Sequence, residues 1–228
     1  MRQLLRLRNN DESRGRMTKT SVWRWTFYFV GMIILSFGIG MTIRGERFGI
    51  GPWDVLHYGL TETIGLTIGT WSIITGFLLV LLMIIVYRRI PKIGTWINMV
   101  VIGVFIDISL FVLPVPETYE ATLFMFVLGV IVMGIGIGIY IAPNMGAGPR
   151  DSLMLILVDK VGMSINGARI TMEVTVALFG WLLGGPVGLG TVIIAFGLGA
   201  LVQLALPTSV RTLKRLIDPR DIHLLEEK

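Results

Sequence analysis

Long runs of apolar residues alternate along the chain with short polar or glycine-rich breaks. An α-helix needs about 20 mostly apolar residues to cross the roughly 30 Å hydrocarbon core of a bilayer. Six runs meet or approach that length, and we expect transmembrane helices over residues 23–43, 70–87, 96–113, 122–142, 168–184 and 191–206. Two other helical stretches, 53–64 and 149–161, are too short to span. The pattern predicts an all-α, polytopic membrane protein with six transmembrane helices and two short membrane-embedded half-helices.

The composition supports this class and argues against an enzyme. Of the 228 residues, 54% are hydrophobic and only 15% are charged, which is unusual for a soluble chain. There is no cysteine, so disulfides, thiolate metal sites and cysteine nucleophiles are excluded. The chain also lacks a GxxxxGK[ST] phosphate-binding loop. We therefore predict no cofactor, no metal site and no catalytic residues.

The distribution of charge predicts the orientation in the membrane. Residues 1–24 carry seven basic and two acidic side chains, so the net charge of +5 lies in this segment. Basic residues accumulate on the cytoplasmic side of membranes, and six spans also leave the basic 88–92 loop inside and the acidic 114–121 loop outside. Arg44 and Arg47 face outward in this arrangement, against the rule. We predict a plasma-membrane protein with both termini cytoplasmic: a basic arm over 1–22, a transmembrane domain over 23–207 and a tail over 208–228.

The transmembrane domain contains an internal repeat. The sequence VGMIILSFGIG (30–40) returns as LGVIVMGIGIG (128–138), and GIGPWD (49–54) returns as GAGPRD (146–151). A Gly-Thr pair at 94–95 also returns at 190–191. The repeats, about 23–114 and 121–207, each hold three spans and one half-helix. Because three is odd, the second copy must enter the membrane in the opposite orientation, as in the inverted repeats of many secondary transporters.

Three segments resemble a known family: GIGPWDVLHYGL, GTWINMVVIGVFID and GAGPRDSLMLIL. Through them, residues 23–207 are similar to the YczE/YyaS/YitT-like bacterial integral membrane proteins. The similarity is greatest to the YczE/YyaS branch, because the soluble C-terminal domain typical of YitT-type members does not follow residue 207. The resemblance implies a plasma-membrane location and a compact polytopic fold, and it implies no substrate.

The two GxGPxD segments are the first candidates for a binding site. In this spacing the second glycine falls at a helix N-cap, proline at the first helical position and aspartate at the third, beside the unpaired amides of the helix end. Helix capping explains the motif; alternatively, both carboxylates bind a cation or a substrate amine. An anion would fit only if the helix dipole, assisted by Arg150, outweighed the aspartates. The candidate residues are Gly49, Gly51, Pro52 and Asp54 in the first half, and Gly146, Gly148, Pro149, Arg150 and Asp151 in the second.

Four more polar residues lie inside the predicted membrane segments, where a charge is costly. Asp107 and Gln203 each follow a glycine by one helical turn, so both lie on a helix-packing face. Asp107 either hydrogen-bonds to Gln203 or to a backbone group across the repeat interface, or it relays protons or ions. Glu173 follows Arg169 by four residues and either pairs with it or acts in the site. His57 follows Asp54 by three residues and is either a satisfied buried histidine or a proton-coupling partner.

These features favour a small secondary transporter or permease with a midplane site between the inverted repeats. One alternative is a non-transporting membrane scaffold or regulatory subunit, which would assemble through its glycine-rich faces with a second copy or another membrane protein. Another is the solute-binding membrane component of an ATPase-energised transporter. The expected partners are the lipid bilayer and an unidentified small solute or coupling ion. Nucleic acid is not expected, because no folded basic domain follows the basic arm.

Overall fold

The computed structural model describes residues 2–146 and 148–225, with side chains from Lys19 onward. Most side chains of the predicted basic arm, and Ala147 in the second GxGPxD segment, therefore lie outside the described residues. The described chain is all-helical, without strands. Two 3₁₀ turns, Glu46–Phe48 and Pro219–Leu225, accompany eight α-helices: α1 (Arg2–Arg44), α2 (Pro52–Ile64), α3 (Ile68–Tyr87), α4 (Ile93–Val112), α5 (Tyr119–Ile141), α6 (Pro149–Val161), α7 (Ile165–Leu182) and α8 (Leu189–Leu216).

Among the described residues, five helices are long and apolar enough to cross a membrane: residues Lys19–Arg44 of α1, and α3, α4, α5 and α8. The all-helical membrane architecture is therefore confirmed. The sixth predicted span corresponds to α7, which has 18 residues, includes Arg169 and Glu173, and is not among the five. Helix α8 extends beyond its predicted end through Pro207 to Leu216, because one proline removes only one backbone hydrogen bond.

Helices α1 and α5 form the central antiparallel pair. Their direction follows from three contacts along the interface: Gly31 with Tyr140, Gly38 with Met133 and Gly45 with Phe126. At Gly31 a Cβ atom would lie only 2.3 Å from the Tyr140 backbone nitrogen, so no larger residue fits. The glycine runs predicted to permit close packing thus bring these two backbones together.

Helices α4 and α8 flank this pair in equivalent ways. Helix α4 runs parallel to α1, with the Tyr28 hydroxyl donating to the Gly94 carbonyl at 2.7 Å near one end and Ser109 against Gly40 near the other. Helix α8 runs parallel to α5, with successive contacts from Gly134 to Leu201 and from Gly138 to Ala205. Because α1 and α5 are antiparallel, α4 and α8 also run in opposite directions.

Several close contacts occur twice in the bundle, at two sets of positions that lie 96–98 residues apart in the sequence. Each of these contacts therefore has a counterpart about 97 residues along the chain. The pairs are Gly38 against Gly129 and Gly136 against Gly31; Gly40 against Ser109 and Gly138 against Ala205; and Gly49 against Thr191 and Gly146 against Thr95.

Residues 20–24 of α1 and the 3₁₀ turn Pro219–Leu225 meet on one side of the bundle, here called the termini face. There the Thr20 hydroxyl donates to Asp221 at 2.7 Å, and Arg24 donates to the carbonyls of Pro143 and Leu224 at 3.0 and 3.4 Å. The other side, called the opposite face, holds the loop that follows α1. The ring of Phe48 in this loop lies 5.3 Å from that of Tyr119, centroid to centroid.

The two halves differ in how their last helices pack. Helix α3 lies along α4, and Gly69 and Gly103 bring the two backbones into contact. Helices α7 and α8, both fully described, make almost no contact. Helix α7 packs on α2, where Gly59 lies against the Gly180 carbonyl, just as α3 packs on α6. This asymmetry leaves space between α7 and α8.

Candidate functional site

A cavity of about 430 Å³ lies at the centre of the bundle and extends between α7 and α8. Its apolar wall includes residues of α1 and α5 such as Leu35 and Met133. Its polar lining comes from both halves of the chain and comprises Trp53, His57, Ser72, Thr75, Asn98, Tyr140, Arg150, Asp151, Arg169, Glu173 and Gln203. A solute in this cavity would contact donors, acceptors and both signs of charge.

The N-terminal ends of α2 and α6 meet in this region. In each GxGPxD segment, glycine (Gly51 or Gly148) precedes the helix and proline (Pro52 or Pro149) begins it. The guanidinium carbon of Arg150 lies 5.0 Å from the centroid of the Trp53 ring. Both residues follow the proline of their segment, so the two copies of the motif touch through the same position.

The first glycine of each segment forms the turn that leads to the half-helix. Gly49 has φ +90° and Gly146 has φ +144°, conformations that residues with a Cβ rarely adopt. Gly49 lies against Gly188 and Thr191 at the start of α8, whereas Gly146 lies against Thr95 at the start of α4. Each turn is therefore held by the other half of the chain.

The two aspartates of the motif occupy different environments. The Gly148 N–H donates to Asp151 Oδ2 at 3.1 Å, so Asp151 caps its own helix, and its side chain also lines the cavity. Asp54 is only 2% exposed, and its Oδ1 atom has no hydrogen-bond partner among the described residues. The positive charge of Arg150 acts on this carboxyl.

His57 connects the buried aspartate to α3. Its Nδ1 atom lies 4.0 Å from Asp54 Oδ1, too far for a hydrogen bond, and its Nε2 atom lies 2.8 Å from the Thr75 hydroxyl. The ring is only 1% exposed and lines the cavity. Asp54, His57 and Thr75 thus form a polar row from the start of α2 to the wall of α3.

Glu173 and Arg169 lie on the cavity side of α7. No ion pair within 4.0 Å joins them in the part of the chain that the structure describes. The charges of Arg150 and Arg169 both act on the Glu173 carboxylate. The cavity therefore contains two guanidinium groups and two lining carboxylates, with Asp54 behind them.

Asp107 and Gln203 are far from equivalent in their surroundings. Asp107 is not part of the cavity lining: its Oδ2 atom accepts from the Thr67 hydroxyl at 2.6 Å and its Oδ1 atom from the Gly69 N–H at 2.9 Å. It therefore caps the first turn of α3, within its own half of the chain. Gln203 is exposed and lines the cavity wall on α8.

The sequence analysis did not identify five polar residues of the cavity: Trp53, Ser72, Thr75, Asn98 and Tyr140. Trp53 and Asn98 are only 4% and 3% exposed, and they interact with Glu173 and Tyr28, respectively. The sequence did contain a signal for Asn98, because a polar amide inside a predicted span is costly, as a charge is. Trp53 could have been found as the counterpart of Arg150 in the repeat.

Comparison with known proteins gives a family and no activity. Residues 22–207 match the model of a family described as "Family of unknown function (DUF6198)". The chain is 45% identical over 204 residues to the uncharacterized membrane protein YczE of Bacillus subtilis, covering 90% of this chain and 95% of that protein. It is 33% identical to an uncharacterized protein of Haemophilus influenzae, covering 82% and 87% of the two chains, and 29% identical to YyaS of Bacillus subtilis, covering 81% and 92%.

No solved structure matches the chain. The resemblance to YczE and YyaS that the motifs predict is confirmed over most of the length. The helical, apolar architecture agrees with the description of YczE as a membrane protein. The chain is thus an integral membrane protein that belongs to the DUF6198 family of unknown function.

Proposed function

We propose that the protein is a small secondary transporter that moves a small solute through the central cavity, between two inverted repeats. The observation that carries this proposal is the meeting of the α2 and α6 N-terminal ends beside a polar cavity, marked by the 5.0 Å contact of Arg150 with Trp53. Interrupted helices whose ends converge near the midplane form the solute sites of many secondary transporters.

The packing supports the inverted repeat. Repeat-related helices run in opposite directions, as α1 and α5 do, and the close contacts occur in repeat-related pairs. The caps of the helices that follow the half-helices also correspond: the Thr67 side chain accepts from the Thr70 N–H at the start of α3, and that of Ser164 from the Gly167 N–H at the start of α7. From this symmetry we infer that α7 is the sixth span, and the basic segments favour a cytoplasmic termini face at the plasma membrane.

The content of the cavity favours transport over a purely structural role. Ionised side chains in a membrane interior are costly, and a scaffold does not need them around a cavity of this size. The cavity could equally serve the solute-binding component of an ATPase-energised transporter, because both functions need one central solute site. The experiment must therefore separate binding from transport.

The test begins with a thermal-shift screen of the purified protein against a solute library, since a ligand that binds only the folded state raises the Tm. Hits are then tested for uptake into liposomes that contain this protein alone. We expect a saturable uptake that Arg150→Gln reduces at least about tenfold. Arg211→Gln is the matched control, because Arg211 is exposed on α8 and does not line the cavity.

The outcomes distinguish the alternatives. Binding without uptake by the protein alone would indicate the component of an ATPase-energised transporter. Absence of any Tm shift across chemically diverse solutes, together with copurification of a stoichiometric membrane partner, would replace the transporter with the scaffold.

A further inference from the structure

The interface between α3 and α4 is closed by a specific latch. Asp107 on α4 accepts hydrogen bonds from the Thr67 hydroxyl and from the Gly69 N–H, at 2.6 and 2.9 Å. These bonds satisfy two donors at the N-terminal end of α3, where a negative charge is also favourable. Beside them the backbones touch, since a Cβ on Gly103 would lie 2.5 Å from the Gly69 carbonyl. The latch lies in the half of the bundle nearer the opposite face.

The repeat-related place between α7 and α8 has the parts of a second latch. Thr67 and Ser164 lie 97 residues apart, and each caps the helix that follows it. Asp107 corresponds to Gln203, 96 residues later, which is the same separation as that of the two Gly-Thr pairs. Gly103 likewise corresponds to Gly199. A glutamine carbonyl can accept the same two hydrogen bonds that the aspartate accepts.

This second place is open. Ser164 and Gln203 are both exposed, and a Cβ on Gly199 would meet no atom within 4 Å. Because the repeats are antiparallel, it lies nearer the termini face, where the cavity extends between Arg169 and Glu173 on α7 and Gln203 on α8. The bundle is therefore closed at one repeat-related interface and open at the other.

We infer that the two interfaces exchange. In a second state, α7 closes on α8 and the Gln203 side-chain carbonyl accepts from the Ser164 hydroxyl and the Asn166 N–H, while α3 leaves α4 and Asp107 is released. The cavity then opens toward the opposite face. This inference rests on the proposed transport function and supplies its alternating-access step: the two latches are the gates, and Asp107 and Gln203 are their positioning residues.

Hydrogen-bond chemistry explains why the observed state is the one with the Asp107 latch closed. Hydrogen bonds to an ionised acceptor are roughly twice as strong as those to a neutral one. The carboxylate latch therefore outcompetes the amide latch. A solute that contacted Glu173 or Arg169 on α7 together with Gln203 on α8 would favour closure, because it would bind the second state better.

The backbone of α8 also permits the movement. Pro207 lies inside the helix and has no N–H, so the Gln203 carbonyl lacks its usual partner one turn later. A missing hydrogen bond at this point makes bending of α8 less costly beside the proposed latch.

Cross-linking of engineered cysteine pairs can detect the exchange, because the chain has no native cysteine. The pair Val174→Cys/Val192→Cys reports closure of α7 on α8, because it corresponds to Phe77 and Trp96 on α3 and α4. It leaves Gly199 unchanged, since a Cβ at the corresponding Gly103 would clash in the closed interface. The pair Phe77→Cys/Trp96→Cys reports the α3–α4 interface, where the two rings lie 6.2 Å apart, centroid to centroid. Both pairs leave the latch residues unchanged and are treated with the same short bifunctional thiol reagent in membrane vesicles.

The decisive variant exchanges the latch residues, Asp107→Gln with Gln203→Asp. We expect it to raise cross-linking of 174 with 192 and to lower that of 77 with 96, each at least about threefold, because the charged acceptor moves to the second latch while the net charge stays the same. Gln203→Leu alone, which accepts no hydrogen bond at the second latch, should lower the 174–192 yield.

Two results would overturn the inference. One is that the residue exchange changes the cross-linking yield at neither pair although the Tm is unchanged. The other is complete cross-linking at both pairs in the same molecules. If the double variant does not fold, Gln203→Glu alone tests the same point, since it places a carboxylate at the second latch while Asp107 remains. Reciprocal cross-linking without uptake of any solute would reject transport and keep the exchange. Uptake that persists with both pairs cross-linked would reject the exchange and keep transport.

Discussion

Arg150 stacks on Trp53 with its guanidinium carbon 5.0 Å from the ring centroid, and each residue follows the proline of its own GPxD segment. The contact joins the start of one half-helix to the start of the other. It places a cation from the second half near the buried Asp54 of the first half. The positive charge acts electrostatically on the Asp54 carboxyl. The central cavity is thus built by both halves, and neither half-helix contains a complete site.

Removing the stacking partner of Arg150 should impair solute handling more than it impairs folding when an aromatic ring is kept. Trp53→Phe retains a ring for the cation, whereas Trp53→Ala removes a buried side chain and costs about 3–5 kcal/mol. We expect Trp53→Phe to lower the Tm slightly and solute binding by about threefold to tenfold. The measurements are Tm and solute-induced Tm shift. Equal binding by Trp53→Phe, Trp53→Ala and the unchanged protein would remove the stacked pair from the site.

Neutralising the motif aspartates tests whether capping is their whole role. Asn keeps the size and much of the capping ability of Asp, so Asp54→Asn and Asp151→Asn should preserve the fold. We expect each to abolish solute binding or uptake. Asp159→Asn is the matched control, since Asp159 lies on α6 near its far end, is exposed and only accepts from the Tyr87 hydroxyl. Unchanged activity in both Asn variants would favour the scaffold. A loss of about 1 kcal/mol of folding stability in Asp54→Ala and Asp151→Ala would then reflect capping alone.

The proposed topology can be mapped with single cysteines in the cysteine-free chain. A cysteine at Lys92 should be protected from an impermeant thiol reagent in intact cells, and one at Glu117 should be labelled. Both positions are exposed, so access depends on the side of the membrane. Labelling at position 92 in intact cells would refute six spans with cytoplasmic termini, and with them the inverted repeat.

The central helix pair should be intolerant of added volume. Gly31→Ala places a methyl group 2.3 Å from the Tyr140 backbone nitrogen, and overpacking of this kind costs about 1–3 kcal/mol. We expect a clearly lower Tm in detergent. Gly197→Ala is the control, because its Cβ would meet only a side-chain atom at 3.8 Å and alanine is the better helix former. Similar Tm values for both variants would contradict the packing described for α1 and α5.

The sequence by itself determined the local features of this protein. Five of the predicted spans coincide with long apolar helices, because crossing a bilayer depends on the length and hydropathy of one segment. The glycine N-cap and the first-turn proline of α2 and α6 also followed from spacing, since these residues act within a single helical turn. The predicted aspartate cap occurs in α6, through Asp151, but not in α2.

The partners of the polar side chains were decided by the tertiary structure alone. The period of α4 placed Asp107 on a face with Gly103, but the docking of α3 decided that the carboxylate binds Thr67 and Gly69. The same holds for Trp53 and Arg150, whose contact joins residues almost one hundred positions apart. The difference between the closed α3–α4 interface and the open α7–α8 interface has the same origin: two similar repeats encode similar helices, and only their packing in one chain makes one interface close while the other stays open.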